Sequence, residues 1–202
     1  VVTAWNPTAD GINASVSDIL VSGSLVYLSG YFSTIGGTSR RSLAAIDITT
    51  GVATSWNPNP TGIGFGSGSV VEAMLISGST MYMGGTFTKV GGTDREYLAA
   101  VDISTGLLTS WDPNFDDSRV YTLALSGTTL YAGGTFSTVN GLPNKYLVAV
   151  STVDGTLQSW NPDPNAYVLN MALSGTSLFV TGDYFQINWP DANNFAVVDN
   201  TT

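Results

Sequence analysis

The stretch Val71–Trp111 reads V-E-A-M-L-I-S-G-S-T-M-Y-M-G-G-T-F-T-K-V-G-G-T-D-R-E-Y-L-A-A-V-D-I-S-T-G-L-L-T-S-W, and the rest of the chain repeats it. Val16–Trp56 and Val120–Trp160 are two further complete copies, each with its Trp 40 positions after its Val, and a fourth opens at Val168. A self-similar period of this length marks an array of like units, each burying its apolar face on the next. Within each copy three apolar runs of four to seven residues follow one another. The first ends in Ser-Gly (Ser22-Gly23, Ser77-Gly78, Ser126-Gly127, Ser174-Gly175). The second carries an aromatic (Tyr27, Tyr82, Tyr131, Phe179) and then a glycine (Gly30, Gly85, Gly134, Gly182). The third starts at Leu43, Leu98, Leu147 or Phe195 and ends at Asp47, Asp102, Ser151 or Asp199.

Short runs rich in Val, Leu, Ile and Tyr, bounded by Gly, Ser, Thr and Asn, are strands rather than helices. A Ser-Gly pair between two of them suits a tight hairpin. The T-T-G and S-T-G turns (Thr49–Gly51, Ser104–Gly106) lead into a short fourth run that ends at Trp. Labelled a to d, the strands of the first copy are expected at 16–21, 25–29, 43–48 and 52–56. Four antiparallel strands per repeat, four times over, predict an all-β fold: one β-propeller domain over 1–202, with repeats 5–55, 56–110, 111–159 and 160–202. Residues 1–5 (Val1, Val2, Thr3, Ala4, Trp5) match a fourth strand, and the last repeat lacks one. They are expected to complete that last blade, either in their own chain or in a neighbouring subunit as a head-to-tail polymer.

The residues Tyr82-Met83-Gly84-Gly85, Tyr97 and Trp111, and Tyr131-Ala132-Gly133-Gly134, Tyr146 and Trp160, resemble kelch-type propeller blades. The fuller phrase, W-N-P then S-G-x-x-L-Y-x-G-G-x-F then L-A-A-V-D-x-x-T-G, is similar to the tandem propeller repeats of large secreted bacterial and archaeal proteins, the delta-60-like repeats. That resemblance implies a blade-based surface protein of usually six to eight blades. It implies no chemistry, because propellers host many activities.

Composition narrows the chemistry. The 202 residues are 43% hydrophobic and 10% charged, with net charge −9 and six basic residues. Clustered Lys and Arg for phosphate neutralisation are missing, which argues against nucleic acid. No apolar run is long enough to span a membrane as a helix. There is no Cys and no His, so thiol nucleophiles, thiolate or imidazole metal sites and the commonest general base are excluded. A charge-poor surface of Thr, Ser, Asn and Gly suggests an extracellular or cell-surface prokaryotic protein. Asn13-Ala14-Ser15 and Asn200-Thr201-Thr202 match the N-glycosylation pattern.

All length variation lies in the connections between repeats, where binding loops usually sit. If those loops share a face with the b–c loops, that face carries Arg40, Arg41, Lys89, Arg95, Arg119 and Lys145. Trp189, which departs from the repeat, is the candidate exposed aromatic for stacking on a glycan. Asp112, Asn114, Asp116 and Asp117 have the alternate-oxygen spacing of a calcium loop, and Asx turns would account for the same residues. Calcium is therefore a possible cofactor; no other is expected. Asp47, Asp102 and Asp199 recur in register, which suits a shared structural task in the following turn. The sequence thus predicts a non-enzymatic structural or interaction module that binds protein or itself. A lectin-like propeller is the alternative, and a glycoside-active enzyme using two carboxylates such as Asp116 and Asp117 is a third.

Overall fold

The structure is a computed structural model, and it describes residues 5–11, 13–62, 70–187 and 192–200. Among these residues there is no helix; the elements are all strands. Four three-stranded antiparallel sheets recur, each in the order a-b-c. Blade 1 is Ser15–Ser22, Leu25–Tyr31 and Leu43–Asp47. Blade 2 is Val71–Ser77, Thr80–Gly85 and Leu98–Asp102. Blade 3 is Val120–Ser126, Thr129–Gly134 and Leu147–Ser151. Blade 4 is Val168–Ser174, Ser177–Gly182 and Phe195–Asp199. The propeller-type repeat read from the sequence is therefore present, with strand c one residue shorter than expected.

Strand d is much shorter than its sequence suggested. In blades 1, 2 and 3 it is one bridge each, Ile46 to Ala53, Val101 to Leu108 and Val150 to Leu157. In blade 1 it is flanked by Asp47 N–H donating to Val52 O at 3.0 Å and Thr54 N–H donating to Ala45 O at 2.8 Å. The chain then leaves its own blade, because the Trp that follows is needed elsewhere. The indole N–H of Trp56 donates to Asp102 O at 3.3 Å, that of Trp111 to Ser151 O at 2.8 Å and that of Trp160 to Asp199 O at 2.9 Å. Each Trp thus closes one blade and fastens to strand c of the next. Its ring meets the strand-b Tyr of its own blade edge-on: Tyr27–Trp56 and Tyr82–Trp111 at 5.1 Å, Tyr131–Trp160 at 4.9 Å. The indole N–H, its one polar group, is satisfied while the rings pack on apolar neighbours, which is how a Trp is buried at low cost.

The core is correspondingly divided into slabs between blades rather than one central mass. Tyr27, Leu43 and Ala45 of blade 1 meet Met74, Met81, Met83, Ala99 and Val101 of blade 2. Tyr82, Leu98 and Ala100 meet Leu130, Ala132, Val148 and Val150 of blade 3. Tyr131, Leu147 and Ala149 meet Met171, Leu178, Val180, Ala196 and Val198 of blade 4. A strand c such as Leu98–Asp102 is buried on both faces, hence its continuous apolar run.

Each strand a carries a bulge, between Val16 and Asp18, Val71 and Ala73, Val120 and Thr122, and Val168 and Asn170. The bulge presses backbone onto the glycine opposite. A Cβ on Gly85 would sit 2.0 Å from Val70 O, and one on Gly134 1.9 Å from Arg119 O. The preceding glycine of the pair has a different reason: a Cβ on Gly84 or Gly133 would lie 2.5 Å from Cγ1 of Val120 or Val168 in the next blade. Blade 1 has Ser29 there, buried without a hydrogen-bond partner, and blade 4 has Thr181.

The b–c segment, expected as a loop, is itself a small hairpin. Thr34–Ile35 pairs with Thr38–Ser39, Lys89–Val90 with Thr93–Asp94, and Thr138–Val139 with Leu142–Pro143. The inter-blade connection adds a third strand, Ala9–Asp10 on the first hairpin and Pro60–Thr61 on the second, and Phe115 bridges to Val139 on the third. This second tier has its own apolar pairs, Phe32 with Ile35, Phe87 with Val90 and Phe136 with Val139, all buried.

Candidate interaction surfaces

Three surfaces could carry function: the loop face, the channel end of the blades, and the two outermost blade faces. On the loop face the predicted basic residues separate. Arg95 is buried; its Nε lies 3.0 Å from Asp112 Oδ2 and its Nη1 donates to Trp111 O. Arg40, its counterpart in blade 1, donates from Nη2 to Thr54 O and from Nη1 to Ser39 O at 2.7 Å. Both tie the b–c hairpin to the end of strand d and so fasten the scaffold. Lys89 is paired with Asp94. Arg41 and Lys145 are exposed and Arg119 is half-buried. Trp189 and Val1–Ala4 lie outside the described residues. Among the described residues, Arg40 and Arg95 of the predicted face Arg40, Arg41, Arg95, Arg119, Lys145 and Trp189 are thus engaged by the scaffold.

The acidic loop is likewise occupied by the protein's own donors. Asp117 accepts from Ser137 N–H and Oγ–H at 2.9 and 2.7 Å and from Thr138 N–H at 3.1 Å. Asp116 accepts from Gly141 N–H at 2.6 Å, and Asp112 Oδ1 from Asn114 N–H at 3.0 Å. Burial alone would raise the Asp117 carboxyl, but the Ser137 and Thr138 donors outweigh it and hold it below the ordinary value. Asn114 has φ 51°, as Asn59 does, and Asp163 in register has φ 43°. The left-handed conformation tolerated by Asn and Asp accounts for the residue choice that resembled a calcium loop. No cluster of three or more acidic side chains able to hold a metal occurs among the described residues.

Of the recurrent aspartates, Asp47 and Asp102 build the turn that follows them. Asp47 Oδ1 accepts from the N–H of Thr49 and Thr50 at 2.9 and 2.7 Å. Asp102 Oδ1 accepts from Ser104 Oγ–H at 2.6 Å and Thr105 N–H at 2.8 Å. In blade 3, where Ser151 replaces the Asp, Asp154 accepts from Thr156 N–H at 3.1 Å. The Ser104 hydroxyl, then the Thr105 amide and hydroxyl, draw the Asp102 carboxyl down to about 2. The Thr50 amide and hydroxyl lower Asp47 in the same way. A depressed carboxyl contributes stability that is complete above its unfolded value and is lost as pH falls through the folded one. Urea midpoints should therefore drop between about pH 4 and 2. Asp47→Asn with Asp102→Asn should lower the midpoint at pH 6 and flatten that acid limb; an unchanged slope would contradict the assignment.

The four inner strands converge on a polar cavity of about 310 Å³ lined by Ser17, Asp18, Glu72, Tyr121, Thr122 and Asn170, among others. Here the residue after the bulge in one blade caps a backbone amide of a neighbour. Met74 N–H donates to Asp18 Oδ2 at 2.8 Å, and Met171 N–H to Thr122 Oγ1 at 3.1 Å. The channel side chains are thus partly committed to holding blades together.

The outermost faces are different: each leaves several large apolar side chains exposed. In blade 4, Ala196 and Val198 are buried on blade 3, whereas Phe195 and Val197 on the other face are 54% and 53% exposed. Their counterparts Leu98 and Ala100 are fully buried. In blade 1, Val16, Ile19 and Val21 are 43%, 57% and 63% exposed, whereas Val71 is fully buried. Against this face lies a depression of about 400 Å³ lined by Trp5, Asn6, Pro7, Val16, Ile19, Val26, Leu28 and Ile48. Trp5 is already seated there, its indole N–H donating to Asp47 O at 3.2 Å. Sequence reasoning missed these faces because their residues are of the same types as the covered ones.

A scan against protein-family models matches none, and a search of curated proteins finds no match. Solved structures do resemble the fold. The computationally designed Ika4 protein is 14% identical with a TM-score of 0.59, the match covering 95% of each chain. The computationally designed Ika8 protein is 14% identical, with a TM-score of 0.55 over 86% of this chain and 44% of that one. The WD40 repeats of RRP9 are 13% identical, with a TM-score of 0.59 over 89% of this chain. The chain spans nearly all of Ika4 but less than half of Ika8 and of the RRP9 repeats, for which the share is 48%. These likenesses, joined to the a-b-c sheets and the inter-blade Trp bonds, make the chain a repeat protein of the β-propeller type.

Proposed function

We propose that this chain is a non-catalytic interaction module, a structural component of an extracellular or cell-surface assembly, working through its blade faces. The observation that carries this reading is the exposure of Val16, Ile19 and Val21 at one end and Phe195 and Val197 at the other. Contiguous exposed apolar surface on a well-packed protein marks a binding surface. The loop-face charges are largely engaged within the protein, and the carboxylates of the acidic loop accept bonds from its own amides. One of the similar solved structures belongs to the mitotic checkpoint complex, an assembly of proteins; it is 17% identical, with a TM-score of 0.56.

The chain has no cysteine, so a single introduced thiol is a unique label. A photo-crosslinker on Val21→Cys or Val197→Cys should capture protein partners in a preparation of the native surface. The same label on Lys145→Cys or Arg41→Cys, on the loop face, should capture far less. Capture from the loop face alone would contradict the proposal.

A further inference from the structure

We propose that the two open faces are the halves of one more blade–blade interface, completed by a second copy of this chain, and that two copies close a ring. This rests on the reading of the blade faces as the binding surfaces and names their partner. Blade 4 presents Phe179, Phe195 and Val197 where blade 1 presents Tyr27, Leu43 and Ala45 to blade 2. Blade 1 presents Val16, Ile19, Val21, Val26, Leu28 and Ile48 where blade 2 receives with Val71, Met74, Ile76, Met81, Met83 and Ile103. Every receiving position is apolar in both blades.

The match extends to the one directional feature of the interface. In three places a strand-b Tyr meets, edge-on, the Trp that bonds to the following blade. Trp5 already makes that bond to Asp47, yet among the described residues no ring meets it. Phe179, the in-register aromatic, is half-buried and lies beside Phe195 at 6.3 Å rather than against a Trp. The depression beside Trp5, lined by Ile19, Val26 and Leu28, is where the neighbour's Phe179 ring would sit. Ser29 shows that the interface accepts a side chain where blade 4 has Thr181, since Val71 opposite remains fully buried.

The pairing is head-to-tail, so it must either close or propagate. We take two chains because the four blades match 44% of Ika8 and 48% of the RRP9 repeats, a share that one second copy would complete. Two such chains related by a two-fold axis along the channel would bury all four open faces. Both faces are apolar and carry little charge, so no like-charge contact opposes the union.

Sedimentation and light scattering on the 202-residue chain test this. The expected particle has twice the 21.1 kDa chain mass and dissociates on dilution. Ile19→Asp with Val21→Asp, and separately Phe195→Asp with Val197→Asp, should each give a monomer with an unchanged fold by circular dichroism, because all four side chains are already exposed. Mixed together, the two variants should form a dimer through the one intact face pair. A wild-type monomer at all concentrations, or extended filaments, would overturn the two-chain ring. So would a dimer that survives one variant pair, which would mean a face pairing with itself. If the wild type is monomeric while cross-links from Val21→Cys capture a different protein, self-pairing fails and the wider reading stands.

Discussion

Replacing Gly134 by alanine should cost more than ~4 kcal/mol or prevent folding, the range reserved for substitutions with no room to relax. The added Cβ would stand 1.9 Å from Arg119 O and 2.9 Å from Arg119 C, atoms of the residue that leads into the bulged strand a, which pairs with strand b before and after its bulge. Backbone cannot swing aside as a flexible side chain can, so the bulge would have to be undone and blade 3 repacked. Gly127→Ala provides the contrast. That residue has φ +56° and nothing within 4 Å of an added Cβ, so only left-handed strain applies, about 1 kcal/mol. Urea unfolding followed by Trp fluorescence would separate the two. Comparable losses would show that the close approach of strands a and b is not what demands a glycine.

Trp111→Ala should cost about 3–5 kcal/mol, the usual range for removing a buried large aromatic. Trp111 is 8% exposed, meets Tyr82 edge-on at 5.1 Å and donates to Ser151 O across the blade boundary. Trp111→Phe should recover much of the packing and remove one of the two donors to the Ser151 carbonyl, which keeps the Gly155 N–H at 2.9 Å, a cost of about 0.5–1.5 kcal/mol. Trp5→Ala should cost far less in the isolated chain, because Trp5 is half-buried on an open face. Its effect should instead be on association. Equal losses at Trp5 and Trp111 would mean that blade 1 already has a neighbour on its outer side.

Much of the fold was legible because the repeat states it four times. Each Ser-Gly hairpin, each aromatic-to-glycine spacing and each strand c falls where periodicity placed it. Strand d was over-read. The run into Trp looks like a strand, but the Trp indole bonds to the next blade and pulls the chain out of its own sheet. The second-tier hairpins were missed although a signal exists. Phe87-Thr88-Lys89-Val90-Gly91-Gly92 pairs two apolar residues three apart before a glycine turn, and blades 1 and 3 repeat the pattern.

The site was far less legible, for a physical reason. An apolar strand reads the same whether a neighbour covers it or not, so nothing in Phe195-Ala196-Val197-Val198 announces that alternate residues face solvent. Charged residues misled in the opposite direction. Arg95 and Asp117 sit in loops that look solvated, yet each is held by several partners within the scaffold. Asn114 was read for its oxygen when the backbone needed it for its φ.

The most direct measurement is the thiol reactivity of Val197→Cys as a function of protein concentration, with Ala100→Cys as reference. The two positions are equivalent in strand c, but Val197 is 53% exposed and Ala100 fully buried. The account predicts that Cys at 197 reacts quickly in dilute solution and slows as concentration rises and the second chain covers it. Cys at 100 should be slow throughout. Slow reaction at 197 at every concentration would contradict the account, because it would mean that blade 1 of the same chain already covers blade 4.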